Sequence, residues 1–402
     1  MIERPYYVDW LKKWKDHDVI KVVTGIRRCG KSRLFDLYRA SLLRDGVPER
    51  HIIALDFEDP DLDALDTSAK VWNRIKRLTP KSGKTYVFLD EVQRVESFEK
   101  LVDGLFSRKN YDVYITGSNA YYLSGDLATY LSGRYVELKM QPLSFREFVY
   151  AQGREIPSRT DYAAYQVDGS FPYVLSLGGD KAAIRDYLSG VFNTILLKDV
   201  VRRAGIADIT VLERLVRFLF DNIGSLVSIK KVCDTLMSAS LKTNGHTIGK
   251  YLAALRDAFL VYEVPRFDVK GREILSSGQK YYVADTGLRT MLLGTSLSDQ
   301  GHLLENIVYL DLRRRFQDVR VGTFNRTEID FVAQNGGDVR YFQVALTALD
   351  ERVRERELRP LASIRDSHPK YLLTLDDLPL SRVDGIQCLN ALDFMMQPIG
   401  AE

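Results

Sequence analysis

The stretch that decides the fold is VIKVVTGIRRCGKS at residues 19–32. Its first half is mostly apolar and predicts a buried strand, while its second half matches the pattern G-x-x-x-x-G-K-[ST]. A loop of this kind, between a strand and a helix start, turns backbone N–H groups towards a phosphate. We therefore predict a nucleotide-phosphate site made by Gly25, Ile26, Arg27, Arg28, Cys29, Gly30, Lys31, Ser32 and Arg33.

Two residues of this loop and two of a later strand have chemically distinct expected roles. Lys31 is placed to reach the β- and γ-phosphates of ATP, and Ser32 to ligate Mg²⁺. The apolar strand at 85–90 ends in Asp90 and is followed by Glu91. Asp90 is placed to hold the Mg²⁺ shell, and Glu91 to polarise the attacking water. Such an acidic pair is common by itself, but with the phosphate loop it predicts ATP and Mg²⁺ as ligands and ATP hydrolysis as the activity.

Two further positions are candidates for contacts with the γ-phosphate. The strand at 111–117 ends in polar residues, of which Asn119 or Ser118 is favoured as a sensor and Thr116 is the weaker candidate. Arg134 precedes the last core strand, where in an oligomer it can face a neighbour's γ-phosphate as an arginine finger. The alternatives are a loop of turn-forming residues and a solvated arginine.

Composition narrows the class of protein. The 402 residues are 45% hydrophobic and 28% charged with a net charge of +3, which is typical of a globular protein of two to four domains. The three cysteines, at 29, 233 and 388, form no CxxC pair and suggest neither a zinc site nor a disulfide framework. No secretory signal and no run of about 18 apolar residues is found, so we expect a cytoplasmic protein with no membrane partner.

The order of apolar patterns predicts an α/β fold with four segments. Strands alternate with helices over 1–142, which favours a parallel sheet in a three-layer αβα core. Residues 143–205 are mostly helical and are interpreted as a helical lid or linker. Three helices and a hairpin over 206–296 are typical of a winged-helix domain. Residues 297–402 begin with a helix near 301–316 and continue as a second α/β unit.

The motifs together resemble the AAA+ superfamily of P-loop ATPases. The resemblance is carried by GIRRCGKS, FLDEVQ, TGSN, LSGRY, PLSF and GSFP, which follow one another between residues 25 and 172. It is strongest for a prokaryotic group that joins this core to a winged helix and a C-terminal domain of unknown function. The resemblance implies that Asn119 and Arg134 act as sensor and finger, and that the chain forms a homo-oligomer, possibly a ring.

The last segment resembles the PD-(D/E)XK, or restriction-endonuclease-like, fold. In that fold a helix Glu, a strand Asp and a following E-x-K strand surround a divalent metal ion. Glu305 and Asp330 match the pattern, but Gln343 stands for the Glu and Ala345 for the Lys. We therefore expect a nuclease-like fold whose cleavage chemistry is lost, with these residues as remnants. Ordinary surface carboxylates are the alternative.

The predicted winged helix carries the candidate DNA-binding residues. Basic and amide side chains near the start of its third helix and in the hairpin turn suit contacts with phosphates and base edges. These residues are Lys242, Asn244, His246, Lys250, Lys270 and Arg272. A solvated helix face in a protein-binding winged helix is the alternative reading.

The combined hypothesis is an ATPase that couples nucleotide turnover to DNA binding or remodelling. Two other functions stay open from the sequence. One is a nucleotide-dependent switch that binds a protein and not DNA, and the other is an ATP-dependent nuclease.

Overall fold

The computed structural model describes residues 2–118, 133–325, 327–377 and 381–399. Internal contacts divide the chain into two compact units, one of residues 1–142 with 257–259 and the other of residues 143–256 with 260–402. Among the described residues, no helix is long and apolar enough to cross a membrane.

The first unit is a five-stranded parallel sheet with helices on both faces. The sheet has the order β2-β3-β4-β1-β5. Its strands are β1 (Ile20–Gly25), β2 (Ile52–Asp56), β3 (Thr85–Asp90), β4 (Tyr111–Gly117) and β5 (Tyr135–Met140). Its described helices are α1 (Pro5–Lys13), α2 (Lys31–Arg44), α3 (Ser68–Leu78) and α4 (Phe98–Phe106).

The central strands β1, β3 and β4 are buried on both faces because helices cover both, whereas the edge strands β2 and β5 are partly exposed. On one face Val22, Leu89 and Ile115 lie in a core with apolar residues of α3 and α4. On the other face the ring of Phe88 contacts the ring of Phe35 on α2 and stacks on Tyr114. All four strand pairings are parallel, so the carboxyl ends of the strands meet at one edge. That edge receives the phosphate loop.

Helices of the second unit precede its strands and also lie between and after them. They are α5 (Phe145–Ala151), α6 (Arg159–Asp168), α7 (Lys181–Thr194), which continues into a π-helical stretch (Ile195–Val201), α8 (Ile209–Asp221), α9 (Ile229–Ser238), α10 (Gly245–Asp257), α11 (Thr286–Leu293), α12 (Gln300–Arg315), α13 (Glu351–Ser363) and α14 (Ala391–Met396). The predicted turn at GSFP has a physical cause. Ser170 donates its N–H and its hydroxyl to the buried Asp285, which also caps α11 through the N–H of Leu288.

One nine-stranded sheet runs through the rest of the second unit. Its order is β13-β14-β12-β11-β10-β9-β7-β8-β6. The strands are β6 (Leu226–Val227), β7 (Val261–Asp268), β8 (Glu273–Val283), β9 (Asp318–Phe324), β10 (Thr327–Asn335), β11 (Asp338–Val344), β12 (Lys370–Thr374), β13 (Arg382–Val383) and β14 (Ile386–Asn390). The sheet is mixed, since β7 pairs with β8 antiparallel and with β9 parallel.

The sheet differs from the expected organisation at one point. The three helices and the hairpin predicted for 206–296 are present, but the hairpin is no free wing, because β7 joins it to the strands after residue 297. Arg266 lies opposite Val321, and Asp268 opposite Thr323. The predicted division between 296 and 297 is therefore not a break in the sheet, and the winged-helix and nuclease-like assignments stay predictions.

Candidate nucleotide site

The loop between β1 and α2 has the backbone that a phosphate loop requires. Gly25 has a φ of 152° and Gly30 a φ of 105°, both in the region that favours glycine. A Cβ on Gly25 would lie 2.1 Å from the carbonyl oxygen of Met140, so no other residue fits there. Cys29 is fully buried beneath the loop. The first N–H groups of α2, from Lys31 onward, have no partner within the helix and form an anion site.

Lys31 lies folded over this loop. Its Nζ donates to the carbonyl oxygen of Gly25 at 3.1 Å and lies 3.8 Å from a carboxylate oxygen of Glu91. The side chain is only 5% exposed, whereas the neighbouring Ser32 is exposed. An ammonium held by these acceptors can turn to a phosphate without first losing a strong buried partner, since a single contact at 3.8 Å is weak.

The acidic pair stands where the sequence predicted it, at the carboxyl end of β3. Asp90 accepts hydrogen bonds from the hydroxyls of Ser32 and Thr116. Burial raises the pKa of Asp90, and these two hydrogen bonds oppose the rise. Ser32 and Asp90 thus bring a hydroxyl and a carboxylate together, the oxygen ligands that Mg²⁺ prefers. The residues present fit a nucleotide-bound Mg²⁺.

Glu91 is held in an unusual backbone conformation. Its φ of 49° lies in the left-handed region, which is costly for a residue with a side chain. The N–H of Glu91 donates to the hydroxyl of Thr116 at 2.9 Å, and Gln93 Nε2 donates to its Oε2. Strain of this kind persists where surrounding contacts fix it, and it directs the carboxylate towards Lys31.

Thr116 is the residue whose importance the sequence reasoning underrated. It lies on β4, between the acidic strand β3 and the phosphate-loop strand β1. Its single hydroxyl donates to Asp90 and accepts from Glu91, so it fixes both carboxylates at once. Ser118, the next candidate, is fully buried, and its hydroxyl has no partner among the described residues. Asn119, the favoured sensor, lies outside the described residues.

The arginines in and next to the loop differ in exposure and in their ion pairs. Arg27 pairs with Glu58 at 3.0 Å, and Arg94 approaches the same carboxylate at 3.3 Å. Although burial opposes it, these arginines lower the pKa of Glu58. Arg28 is exposed with a φ of 68°, and Arg33 is exposed beside Asp36. Arg28 and Arg33 are thus exposed, whereas Arg27 is partly buried and is held by Glu58.

Arg134 lies at the opposite edge of the sheet from the phosphate loop. Its carbonyl oxygen accepts from the N–H of Ile20, at the start of β1, whereas Gly25 pairs with Met140 at the other end. Five residues of strand separate the two ends, which is about 16 Å. The side chain pairs with Asp103 at 2.7 Å and is half-exposed. It cannot reach the site of its own chain, so a finger role requires a second subunit.

The C-terminal unit brings the nuclease-like residues together. Glu305 and Asp330 are buried, which rules out ordinary surface carboxylates. The N–H of Asp330 lies 3.4 Å from Gln343 Oε1, and Asp330 accepts from the N–H of Val344 at 2.8 Å. Burial raises the pKa of Asp330 well above its ordinary value, and the charge of Glu305 adds to the effect.

A lysine that the sequence reasoning missed sits in this cluster. Lys280 on β8 lies 2.9 Å from Glu305 and 2.7 Å from Glu328, and it is buried. Although burial opposes the charged form, the carboxylates around it, with that of Glu305 the strongest, raise its pKa. Among the described residues no group of His, Cys, Asp or Glu is arranged to hold a metal ion. One sign of this role was present in the sequence, since Lys280 is the only charged residue in the stretch QKYYV at 279–283.

The predicted DNA-binding residues share one property, which is exposure. The following are all exposed: Lys242, Asn244, His246, Lys250, Lys270 and Arg272. None of the four cations among them forms an ion pair within the described part of the chain. Two other residues of α10 are not available, since Tyr251 is buried and Arg256 pairs with Glu263 at 3.1 Å.

The arginine run at 313–315 is structural. Arg314 is buried and donates to the carbonyl oxygen of Leu143, while Arg315 pairs with Asp311 and donates to three carbonyl oxygens near the end of the chain. The run is therefore no DNA-binding stripe.

Comparisons with known proteins match both parts of the chain. The family model of the AAA domain matches residues 17–149, and that of a domain of unknown function, DUF8612, matches residues 159–299. An uncharacterised protein of Haemophilus influenzae is 39% identical over 401 residues, which are 99% of each chain. An uncharacterised protein of Methanocaldococcus jannaschii is 30% identical over 363 residues, 85% of this chain and 77% of that relative.

The chain also resembles solved structures in its fold. The Walker-type ATPase of Pyrococcus abyssi superposes with a TM-score of 0.52 at 16% identity, and the match covers 73% of this chain and 96% of that one. At that identity the likeness concerns the fold alone.

Proposed function

Because the chain belongs to the same family as the Haemophilus influenzae relative and carries an AAA domain, we propose that it binds ATP with Mg²⁺, hydrolyses it and couples turnover to DNA binding. The observation that carries the proposal is the meeting of Lys31, Ser32, Asp90 and Glu91 at one edge of a parallel sheet.

Phosphate binding follows from the loop. The free N–H groups at the start of α2 and the ammonium of Lys31 supply donors and positive charge to the β- and γ-phosphates. In the structure, the ammonium of Lys31 contacts the carbonyl oxygen of Gly25 and the carboxylate of Glu91. Binding the triphosphate moves Lys31 to a stronger anionic partner and leaves Glu91 free for water.

Mg²⁺ binding falls to Ser32 and Asp90. An ion held there would supply positive charge against the negative charge that develops during phosphoryl transfer. Burial favours the protonated form of Asp90 in the free protein, and a bound cation favours the ionised form.

Glu91 acts as the general base for the attacking water. It is buried beside the phosphate loop. Its backbone N–H donates to the hydroxyl of Thr116, and its carboxylate accepts from Gln93 Nε2. Completion of the site by Arg134 requires a homo-oligomer, because Arg134 lies at the far edge of its own sheet.

DNA is the proposed partner because of the exposed cations of the helical segment. Lys242 and Lys250 flank the start of α10 and pair with no described carboxylate. Free cations at a helix start suit phosphate contacts.

The cytoplasm is the compartment that this activity implies, and the three cysteines are free.

An ATP-dependent nuclease is the less favoured function. Lys280 already neutralises the carboxylates of Glu305 and Glu328, at the place where a cleaving enzyme would bind a cation. A nucleotide switch that binds a protein remains the other alternative and is an outcome of the test below.

The test measures phosphate release against enzyme concentration, with and without single-stranded, duplex and branched DNA. We expect a rate per subunit that rises with concentration and with at least one DNA. Changing Lys242 and Lys250 together to Ala should reduce the slope of log affinity against log salt by about 2. The same change at Lys76 and Lys100, exposed in the first unit, is the charge-matched control. Turnover unaffected by any DNA would favour the protein-binding switch.

A further inference from the structure

Gln93 lies in the turn that follows the acidic pair. Only the nitrogen of its side-chain amide has a hydrogen-bond partner among the described residues. Residues Val92–Arg94 form a single 3-10 turn that starts at Glu91. The turn is fixed by hydrogen bonds from the N–H of Arg94 to the carbonyl of Glu91 and from the N–H of Val95 to the carbonyl of Val92. Arg94 is anchored further by Glu58. The Gln93 side chain therefore starts from a rigid backbone.

The orientation of the Gln93 amide follows from its neighbour. Gln93 contacts Glu91 Oε2, and an ionised carboxylate can only accept hydrogen bonds. The NH₂ end must then face Glu91, and the carbonyl Oε1 must face away from it. Within the described residues this Oε1 is buried and accepts no hydrogen bond.

A buried acceptor without a partner destabilises the folded protein unless a ligand or water supplies a donor. The unsatisfied oxygen belongs to the same amide that touches the proposed general base. A water molecule has two hydrogens to donate, and the Glu91 carboxylate and Gln93 Oε1 are acceptors on residues of the same turn.

We propose that Gln93 orients the attacking water, with its Oε1 accepting one hydrogen while Glu91 takes the other as the proton. The lone pair of the water oxygen is then directed at the γ-phosphorus; the P–O bond to that oxygen forms as the bond to the ADP oxygen breaks, and ADP leaves with the electron pair. Through Nε2, Gln93 also holds the Glu91 carboxylate in place. This inference rests on the proposed ATPase function.

The test replaces Gln93 with Met, which keeps the length of the side chain and removes both hydrogen bonds. We expect kcat to fall roughly 10- to 100-fold, while the affinity for a non-hydrolysable ATP analogue with Mg²⁺ stays unchanged and the melting temperature does not fall. Gln152→Met, at the exposed glutamine that follows the last residue of α5, is the matched control and should keep wild-type turnover.

Double variants identify the group that Oε1 receives. If Gln93 and Glu91 act on one water, Gln93→Met should add little to Glu91→Gln in single-turnover rates. If the Gln93→Met defect instead disappears in an Arg134→Ala background, the acceptor serves a neighbour's arginine and the inference is overturned. It is overturned equally by an unchanged kcat, or by a kcat loss that comes with lost nucleotide binding. A wild-type chain without turnover would overturn the proposed function itself.

Discussion

At the scale of single residues, the site depends on hydroxyls and amides that hold the charged groups in place. Thr116 shows this most clearly, since one hydroxyl contacts both Asp90 and Glu91. Lys31, Ser32, Asp90 and Glu91 could be placed from the sequence because their motif fixes them relative to a strand end. For Thr116 the sequence indicated only the weaker sensor candidate, because the contacts of its hydroxyl with Asp90 and Glu91 depend on how β4 lies against β3.

Replacing Thr116 with Val keeps the shape of the side chain and removes the hydroxyl. The buried N–H of Glu91 then loses its acceptor, which costs about 1–3 kcal/mol. We expect ATP turnover to fall roughly 10- to 100-fold, because the acidic pair loses its fixed geometry. Phosphate release measures this, and Thr116→Ser should retain most of the activity. Equal turnover in the Val and Ser variants would contradict the role of the hydroxyl.

Asp330 makes stability depend on pH in a defined direction. Its pKa is raised in the folded state, so the stability linked to its protonated form is complete below the unfolded value of about 3.9 and is lost as pH rises through the folded pKa. Asn mimics the protonated form. Urea unfolding should therefore show Asp330→Asn gaining stability relative to wild type as pH rises above about 4. A difference that stays constant with pH would show that Asp330 does not titrate on unfolding.

At the scale of helices and strands, local pattern predicted most elements of both units, and the strands of the ATPase core are confirmed. The mostly apolar run at 19–24, directly before the phosphate loop, predicts a buried strand, and β1 lies there. The pairing of β7 with β9 could not be predicted, because it joins residues more than 50 positions apart and no turn specifies it. The ion pairs of Lys280 could not be predicted for the same reason, since Glu305 and Glu328 belong to two other elements that are distant in sequence.

Lys280 is expected to stabilise the second unit by joining β8, α12 and β10. Lys280→Met leaves the buried Glu305 without its cation, which should cost about 3–5 kcal/mol. The more exposed Glu328 also loses this partner, but solvent screening makes its contribution small. Urea unfolding is the measurement, with Lys270→Met in the exposed turn of the same hairpin as the control. Adding Glu305→Gln to Lys280→Met should recover part of the loss. Equal stability of Lys280→Met and Lys270→Met would mean that the ion pairs of Lys280 contribute nothing to the free energy of unfolding.

At the scale of the whole molecule, the AAA domain match and the sheet order confirm the predicted P-loop core of AAA type. The proposed shared site can be tested by mixing two inactive variants. Lys31→Ala lacks the phosphate lysine but keeps Arg134, and Arg134→Ala has the reverse defect. An equimolar mixture should recover turnover that neither variant has alone, since a mixed interface contains one complete site. A mixture as inactive as its components would show that Arg134 does not act across subunits.

In the proposed function, a triphosphate binds on the loop at Gly25–Ser32 with Lys31 as its main side-chain partner. Calorimetric titration of a non-hydrolysable ATP analogue with Mg²⁺ tests this most directly, on wild type, Lys31→Ala and the exposed-lysine control Lys76→Ala. We predict saturable binding to wild type and control, and an affinity at least about 100-fold weaker for Lys31→Ala. Equal binding by all three, or none by wild type, would contradict the account.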